Sequence, residues 1–166
     1  ASRTGEARAA TWDEIDFDRM TWTVPSKRMK ARKEHTVPLS QQTMAILREI
    51  KAESKRSNFL FAHPMKLDRP ASENAVLFVL ASIGYKERMT GHGFRSLFST
   101  IANESGLWRS EVVEVSLAHT EKNETRAAYL RTEFLDERRR LMQWWADELD
   151  RMESGGPAKI VPIRQF

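Results

Sequence analysis

Six side chains spread along the chain have the chemistry to open and reseal a phosphodiester without a metal ion. Two arginines can neutralise a phosphate, two histidines can position or transfer protons, a lysine can protonate a leaving oxygen, and a tyrosine can attack phosphorus. Arginine suits phosphate because its planar fork stays protonated and donates two parallel hydrogen bonds. The candidate site residues are Arg3, Lys30, His92, Arg95, His119 and Tyr129.

Three short motifs hold most of these residues. They are Arg3–Glu6 (RTGE), His92–Arg95 (HGFR) and Leu117–His119 (LAH), and Tyr129 follows ten residues after the last histidine. Each string alone is common in proteins. All of them in this order and at this spacing resemble the catalytic domain of the tyrosine recombinases, particularly the prophage and genomic-island integrases. The resemblance runs from the first residues to about Trp145.

The resemblance implies a role for each motif residue. Arg3 and Arg95 would clamp the scissile phosphate, and His119 would donate a hydrogen bond to it. His92 would act as a base or a proton-positioning group beside the nucleophile. Tyr129 would attack, forming a 3′-phosphotyrosyl link and releasing a 5′ hydroxyl. A phenol with a pKa near 10 is mostly protonated at neutral pH, so it needs nearby cations or a base to become reactive.

Lys30 resembles the hairpin lysine that protonates the departing 5′ oxygen, since it lies seven residues before Val37. The alternative is a solvated basic hairpin whose cations contact DNA phosphates. Glu6 would orient the site or pair with an arginine, because a carboxylate facing the substrate would repel it. The candidate DNA-binding residues around Lys30 are Lys27, Arg28, Arg32 and Lys33.

Simpler structural explanations exist for the same residues. Arg3 stands near a terminus, Arg95 suits a surface ion pair, and histidines often end helices; Tyr129 lies beside apolar neighbours.

Two other functions also fit. One is a type IB topoisomerase, which relaxes supercoils without exchanging partners, and the other is a DNA-binding module without chemistry. The HGFR and LAH strings favour a recombinase, and the presence of Tyr129 with both arginines argues against loss of chemistry.

Composition agrees with a single globular domain that has an anionic partner. The 166 residues suffice for one well-filled core, and the net charge of +4 with a pI near 9.6 permits binding to DNA. The chain has no cysteine, its four histidines lack the spacing of a helical zinc motif, and no apolar run approaches 18 residues. We therefore expect no metal, no cofactor, no membrane insertion, and a bacterial cytoplasmic location at the nucleoid.

The pattern of residues predicts an α+β domain, mainly helical, with a small three-stranded antiparallel sheet near the N-terminus; the resemblance implies the catalytic-domain fold of tyrosine recombinases. A short helix over Gly5–Ala10 is predicted to be capped by Thr4. Aromatic and β-branched residues that alternate with polar ones predict the strands. These strands are Trp12–Phe17, Thr21–Val24 and Glu34–Val37.

Helical periodicity begins after Ser40, which is predicted to cap a helix whose buried stripe is Met44, Leu47 and Ile50, widened by Ile46. Residues 58–70 are predicted to form a loop. The pair Trp144–Trp145 is predicted to lie in the core rather than to stack on bases. The later predicted helices are Ser72–Ile83, Gly93–Ser105, Ser110–Leu117, Glu124–Tyr129 and Phe134–Met152.

The expected domain organisation is a catalytic domain over residues 1–153 that lacks its N-terminal part, followed by a tail over residues 154–166. The resemblance implies that a DNA-clamping domain precedes Arg3 in a whole protein. Within the tail, Ile160–Ile163 has the apolar, β-branched character of a docking strand. The expected partners are double-stranded DNA attachment sites, a homo-tetramer assembled on that DNA, and accessory DNA-bending or directionality proteins.

Overall fold

The fold combines helices with two small antiparallel sheets. The computed structural model describes residues 2–54, 57–119 and 134–155. The helices in these ranges are α1 (Thr4–Arg8), α2 (Gln41–Glu53), α3 (Ala75–Ser82), α4 (Gly91–Glu104), α5 (Ser110–Ser116) and α6 (Leu135–Glu153). The strands are β1 (Ile15–Asp16), β2 (Thr21–Val24), β3 (His35–Pro38), β4 (Ala62–His63) and β5 (Lys66–Pro70).

The predicted three-stranded sheet is confirmed, with the order β1-β2-β3 and both pairings antiparallel. Its central strand places Trp22 opposite Ile15 on one side and Val37 on the other. The first strand is shorter than predicted, because Trp12–Glu14 forms a 3₁₀ turn instead. In that turn the Glu14 carboxylate accepts a hydrogen bond from Trp22 Nε1 at 3.0 Å.

Helix α2 begins where the sequence predicts. The Ser40 hydroxyl accepts a hydrogen bond from the Thr43 backbone N–H at 3.2 Å, which confirms the predicted cap. Met44 and Leu47 are buried, but Ile46 is 56% exposed, so the predicted widening of the buried stripe is wrong. Ile46 precedes Leu47 by one residue, which turns its side chain about 100° away from the core around the helix.

Two clusters of buried apolar side chains hold these elements together. One cluster joins the three-stranded sheet to its neighbours through Trp22, Val24 and Leu47. The other joins α4, α5 and α6 through Phe98, Val112 and other apolar side chains. Trp144 and Trp145 pack against the second cluster, in agreement with their predicted core position.

The second sheet corrects the prediction of a loop over residues 58–70. There β4 and β5 pair as an antiparallel hairpin with an irregularity at Ala62 and His63. Most of β5 is exposed and polar, so it lacks the apolar alternation by which a strand is recognised in sequence. The predicted helix over Glu124–Tyr129 lies outside the described residues.

Candidate active site

Arg3 is fixed at the start of α1 by Glu6. The buried Glu6 carboxylate accepts one hydrogen bond from the Arg3 backbone N–H at 2.8 Å and another from Arg3 Nη1 at 2.7 Å. Arg3 therefore takes the position that precedes the first helical residue, and the predicted cap at Thr4 is wrong. About one third of the Arg3 side chain remains exposed, so its guanidinium can still meet a ligand.

Helix α4 approaches α1 closely at a glycine. A Cβ atom added at Gly91 would lie 2.3 Å from Thr4 Cγ2, a separation that non-bonded carbon atoms do not tolerate. The absence of a side chain at Gly91 thus lets the first turn of α4 rest against the first turn of α1. This contact brings the segment that carries His92 and Arg95 next to the segment that carries Arg3.

Arg95 is the buried cation of the site. Only 5% of its surface is exposed, and its Nη2 donates a hydrogen bond to the Leu117 carbonyl at 2.7 Å. Burial lowers the pKa of Arg95 from its ordinary value, the Arg3 charge lowers it further, and the Glu6 charge opposes both effects. The three side chains therefore share one electrostatic environment although 92 positions separate Arg3 from Arg95 in sequence.

His92 lies one turn before Arg95 in the first turn of α4, and its side chain is exposed. The Thr90 hydroxyl caps this helix by accepting from the Gly93 backbone N–H at 3.1 Å. The two motif residues are separated by the i,i+3 spacing that places side chains on one helical face. Arg95 is buried and His92 is open to solvent, so His92 lies at the edge of the candidate site.

Lys30 is exposed in the connection between β2 and β3. This connection is held against α1 by Arg28, whose Nη1 donates to the Glu6 carbonyl at 2.9 Å and whose Nη2 pairs with the Glu14 carboxylate. Arg28 is one of the four predicted DNA-binding cations, but its side chain is 18% exposed and is engaged inside the protein. Sequence reasoning missed this tethering role because the partners are 22 and 14 positions away.

His119 follows the end of α5 and is exposed. Because Arg95 donates to the Leu117 carbonyl, the chain two residues before His119 is fixed to α4. The His119 Nδ1 atom lies 2.6 Å from Glu114 Oε2, a partner that sequence reasoning did not identify.

The fold thus brings together Arg3, Glu6 and Arg95. The hydrogen bond from Arg28 to the Glu6 carbonyl ties the segment that carries Lys30 to this region, and the hydrogen bond from Arg95 to the Leu117 carbonyl ties the segment that carries His119. Tyr129 lies outside the described residues. Within the described ranges, no three His, Asp or Glu side chains gather closely enough to hold a metal ion. None of the helices described there combines the length and apolar character needed to cross a bilayer.

Comparison with known proteins identifies the family. The family model described as "Phage integrase family" matches residues 1–135. The integrase of Enterobacteria phage P4 is 44% identical, covering 89% of this chain and 37% of that protein. Prophage integrase IntA of Escherichia coli (strain K12) is 42% identical, covering 93% of this chain and 37% of that protein. The chain therefore spans less than two fifths of the length of these relatives.

A solved structure agrees with the fold. The crystal structure of XerA recombinase matches with a TM-score of 0.59 and 14% identity, over 82% of this chain and 53% of that one. The structural match supports a tyrosine recombinase fold, and the family match extends over most of the chain. This chain belongs to the phage integrase family.

Proposed function

We propose that this chain is the catalytic part of a site-specific DNA recombinase that integrates or excises a prophage or genomic island. Residues 1–153 form the catalytic domain, and residues 154–166 form its tail. Tyr129 attacks the scissile phosphate and becomes joined to the 3′ end, while the 5′ oxygen leaves as a hydroxyl. The 5′ hydroxyl of a partner duplex later reverses this step, so the energy of the broken bond is kept in the covalent intermediate.

The observation that carries the proposal is the convergence of Arg3, which immediately precedes α1, and Arg95, which lies in α4. Two guanidinium groups in one environment repel each other, and burial of Arg95 adds a desolvation penalty. An anion with two nonbridging oxygens, such as a phosphodiester, relieves that repulsion when it binds between them. The same preorganised charges stabilise the additional negative charge that develops in the transition state.

The β2–β3 connection supplies the remaining cations of the proposed DNA surface. Lys30 is exposed there, and we assign it the protonation of the departing 5′ oxygen. Lys27, Arg32 and Lys33 contact backbone phosphates in this proposal, whereas Arg28 holds the connection to α1. His119 donates to the scissile phosphate, and His92 positions the proton of the attacking tyrosine.

Covalent capture on a nicked duplex tests the reaction. The substrate carries the attachment half-site of the element that encodes the protein, with the nick placed so that the short 5′ product diffuses away and the intermediate cannot be resealed. We expect a protein–DNA adduct that survives denaturation and forms equally well in a chelator. Absence of an adduct with DNA that the protein binds would contradict the proposed reaction.

Tyrosine variants provide a matched control, because the chain has two tyrosines, Tyr85 and Tyr129. Tyr129→Phe removes only the attacking oxygen, so it should abolish the adduct and leave half-site affinity nearly unchanged. Tyr85→Phe makes the same chemical change at an exposed position and should leave both quantities unchanged. An adduct of normal yield from Tyr129→Phe would assign the attack to another residue.

The proposal extends to the assembly by family resemblance. Four protomers act together on two double-stranded attachment sites, with accessory proteins that bend the DNA or set the direction of recombination. Such a reaction takes place on the bacterial chromosome, and hence in the cytoplasm. Sedimentation of the protein on paired half-sites tests the four-protomer stoichiometry, which a stable two-protomer complex on paired sites would contradict.

A further inference from the structure

Glu114 is the only carboxylate among the described contacts of His119. Its Oε2 atom lies 2.6 Å from His119 Nδ1, which is the distance of a strong charge-assisted hydrogen bond. Both side chains are about half exposed, at 48% for the histidine and 47% for the glutamate. Glu114 is not one of the six site residues predicted from the motifs.

The backbone is shaped so that these two residues meet. Five positions apart on a regular helix, two side chains point about 140° away from each other. Here α5 ends at Ser116, and Ala118 takes a left-handed conformation with φ of 52°. The chain therefore folds back, and the His119 backbone N–H donates to the Glu114 carbonyl at 3.1 Å. Backbone and side chain of Glu114 both hold His119.

The turn that brings His119 back to Glu114 is strained at Ala118. Alanine rarely adopts positive φ, because its Cβ then approaches the following carbonyl oxygen. A continued helix would avoid that cost, but it would separate His119 from Glu114. The neighbouring Leu117 carbonyl is also engaged, by Arg95 Nη2 at 2.7 Å. The turn thus fixes His119 relative to both the glutamate and the buried arginine.

The contact determines which nitrogen of the imidazole can serve the substrate. A carboxylate at 2.6 Å requires a proton on Nδ1, because a lone pair there would face the negative oxygen. The Nε2 atom on the far edge of the ring is then the one left for a ligand. Nε2 can donate a hydrogen bond only when it carries a proton as well as Nδ1, so donation to a phosphate requires both ring nitrogens to be protonated in the DNA complex.

We propose that Glu114 is a positioning residue that keeps a proton on His119 Nδ1 and fixes the orientation of the ring, so that Nε2 faces the scissile phosphate and donates a hydrogen bond to it when both ring nitrogens are protonated. The inference rests on the proposed function for the role of His119. The arrangement forms a carboxylate–imidazolium–phosphate chain when DNA is bound. A carboxylate that orients a functional imidazole through its other nitrogen is a common arrangement in protein sites.

Nuclear magnetic resonance of the free protein tests the tautomer without requiring any activity. Long-range ¹H–¹⁵N correlation spectra of the four imidazoles, with His119 assigned by its loss in His119→Gln, distinguish protonated from unprotonated ring nitrogens. At a pH where His119 is neutral, its proton should be on Nδ1, and this pattern should disappear in Glu114→Ala. A proton on Nε2 in the unaltered protein, or an unchanged spectrum in the variant, would overturn the proposal.

Covalent capture then tests the consequence for the reaction. Glu114→Ala should lower the rate of adduct formation about tenfold or more, because the imidazole loses its partner. Affinity for the half-site should change by less than about fivefold, since an exposed pair contributes little to stability or binding. Equal losses of rate and affinity, or no loss of rate, would show that Glu114 does not act through His119.

Glu111 provides the matched control for charge. It is exposed and lies on α5 one turn before Glu114, whereas the hydrogen bond and ion pair described for the His119 ring go to Glu114. Glu111→Ala removes the same charge from the same helix and should leave the capture rate and the His119 spectrum unchanged. If the unaltered protein forms no adduct, the proposed function fails but the tautomer result still stands, so the two failures are distinguishable.

Discussion

At the scale of single residues, the site depends on how two like charges are held close together. Arg3 is tied by Glu6 and Arg95 by the Leu117 carbonyl, so neither guanidinium is free to move away from the other. In the proposed function, a bound phosphate offsets both charges and so compensates for their mutual repulsion. In such a preorganised site, the planar geometry of each guanidinium group is as important for binding a phosphate as its positive charge.

Substitution Arg95→Lys tests the importance of that geometry. Lysine keeps the positive charge but cannot donate to Leu117 and to a phosphate with a planar fork. We expect the rate of covalent capture to fall by about a hundredfold or more, the scale of losing one preorganised donor. Urea unfolding should show a loss of roughly 1–3 kcal/mol from the weakened buried hydrogen bond. A normal capture rate would mean that charge alone suffices at this position.

At the scale of elements, the contact between α1 and α4 aligns the two arginines. Gly91→Ala would force a Cβ into Thr4 Cγ2, and the β-branched threonine has few alternative rotamers. We expect a loss of about 1–3 kcal/mol in the free energy of unfolding and a slower capture reaction. Gly5→Ala is the matched control, because nothing lies within 4 Å of a Cβ added there.

A double variant separates the steric effect from a change in helix propensity. Thr4→Ser removes the methyl group that meets the added Cβ, so Gly91→Ala combined with Thr4→Ser should regain most of the stability lost by Gly91→Ala alone. Additive losses in the double-mutant cycle would show that Gly91 serves another purpose.

A buried arginine of α6, Arg138, forms the contact between this helix and β3. Arg138 is almost fully buried, donates to the Thr36 carbonyl at 2.6 Å, and has its pKa lowered by burial to about 10. The lowering from the ordinary pKa of arginine corresponds to a penalty of roughly 3 kcal/mol in the folded state. Because the unfolded chain binds the proton more tightly, this penalty is fully present at neutral pH and declines only above about pH 10.

Arg138→Met should therefore change the free energy of unfolding at pH 7 by less than about 2 kcal/mol, since relief of the penalty offsets the lost hydrogen bonds. Leu141→Ala on the same helix, at a fully buried apolar position, should cost about 2–5 kcal/mol. Urea unfolding measures both. A loss of more than about 2 kcal/mol for Arg138→Met would contradict this prediction and show that the buried guanidinium contributes net stability.

The elements differ in how far they could be predicted from sequence. The β1-β2-β3 sheet and the Ser40 cap have local signatures, because alternation and capping depend on neighbouring residues. The β4–β5 hairpin has no such signature, since its exposed strand buries no apolar face. The tethering by Arg28 depends on a contact with a residue far away in sequence, and the proposed role of Glu114 depends on a left-handed turn at Ala118. Neither feature produces a periodic pattern of residues in the sequence.

At the scale of the whole molecule, the tail is predicted to act between protomers. Deletion of residues 158–166 removes the apolar Ile160–Ile163 segment, which lies outside the described residues. If this segment adds a strand to a neighbouring protomer, the deletion should weaken cooperative assembly on two DNA sites more than binding to one half-site. Gel-shift titrations on one and two half-sites measure the difference. Equal losses would assign the tail to the fold or to DNA contact.

The central claim is that Tyr129 forms the covalent bond to DNA, at the phosphate proposed to bind the arginine pair. Mass spectrometry of the captured adduct after nuclease and trypsin digestion tests it most directly. The peptide Ala127–Arg131 contains Tyr129 as its only nucleophilic side chain. The account predicts that this peptide carries a nucleotide linked through its 3′ phosphate to the tyrosine oxygen. A nucleotide on any other peptide, or a link through a 5′ phosphate, would contradict it.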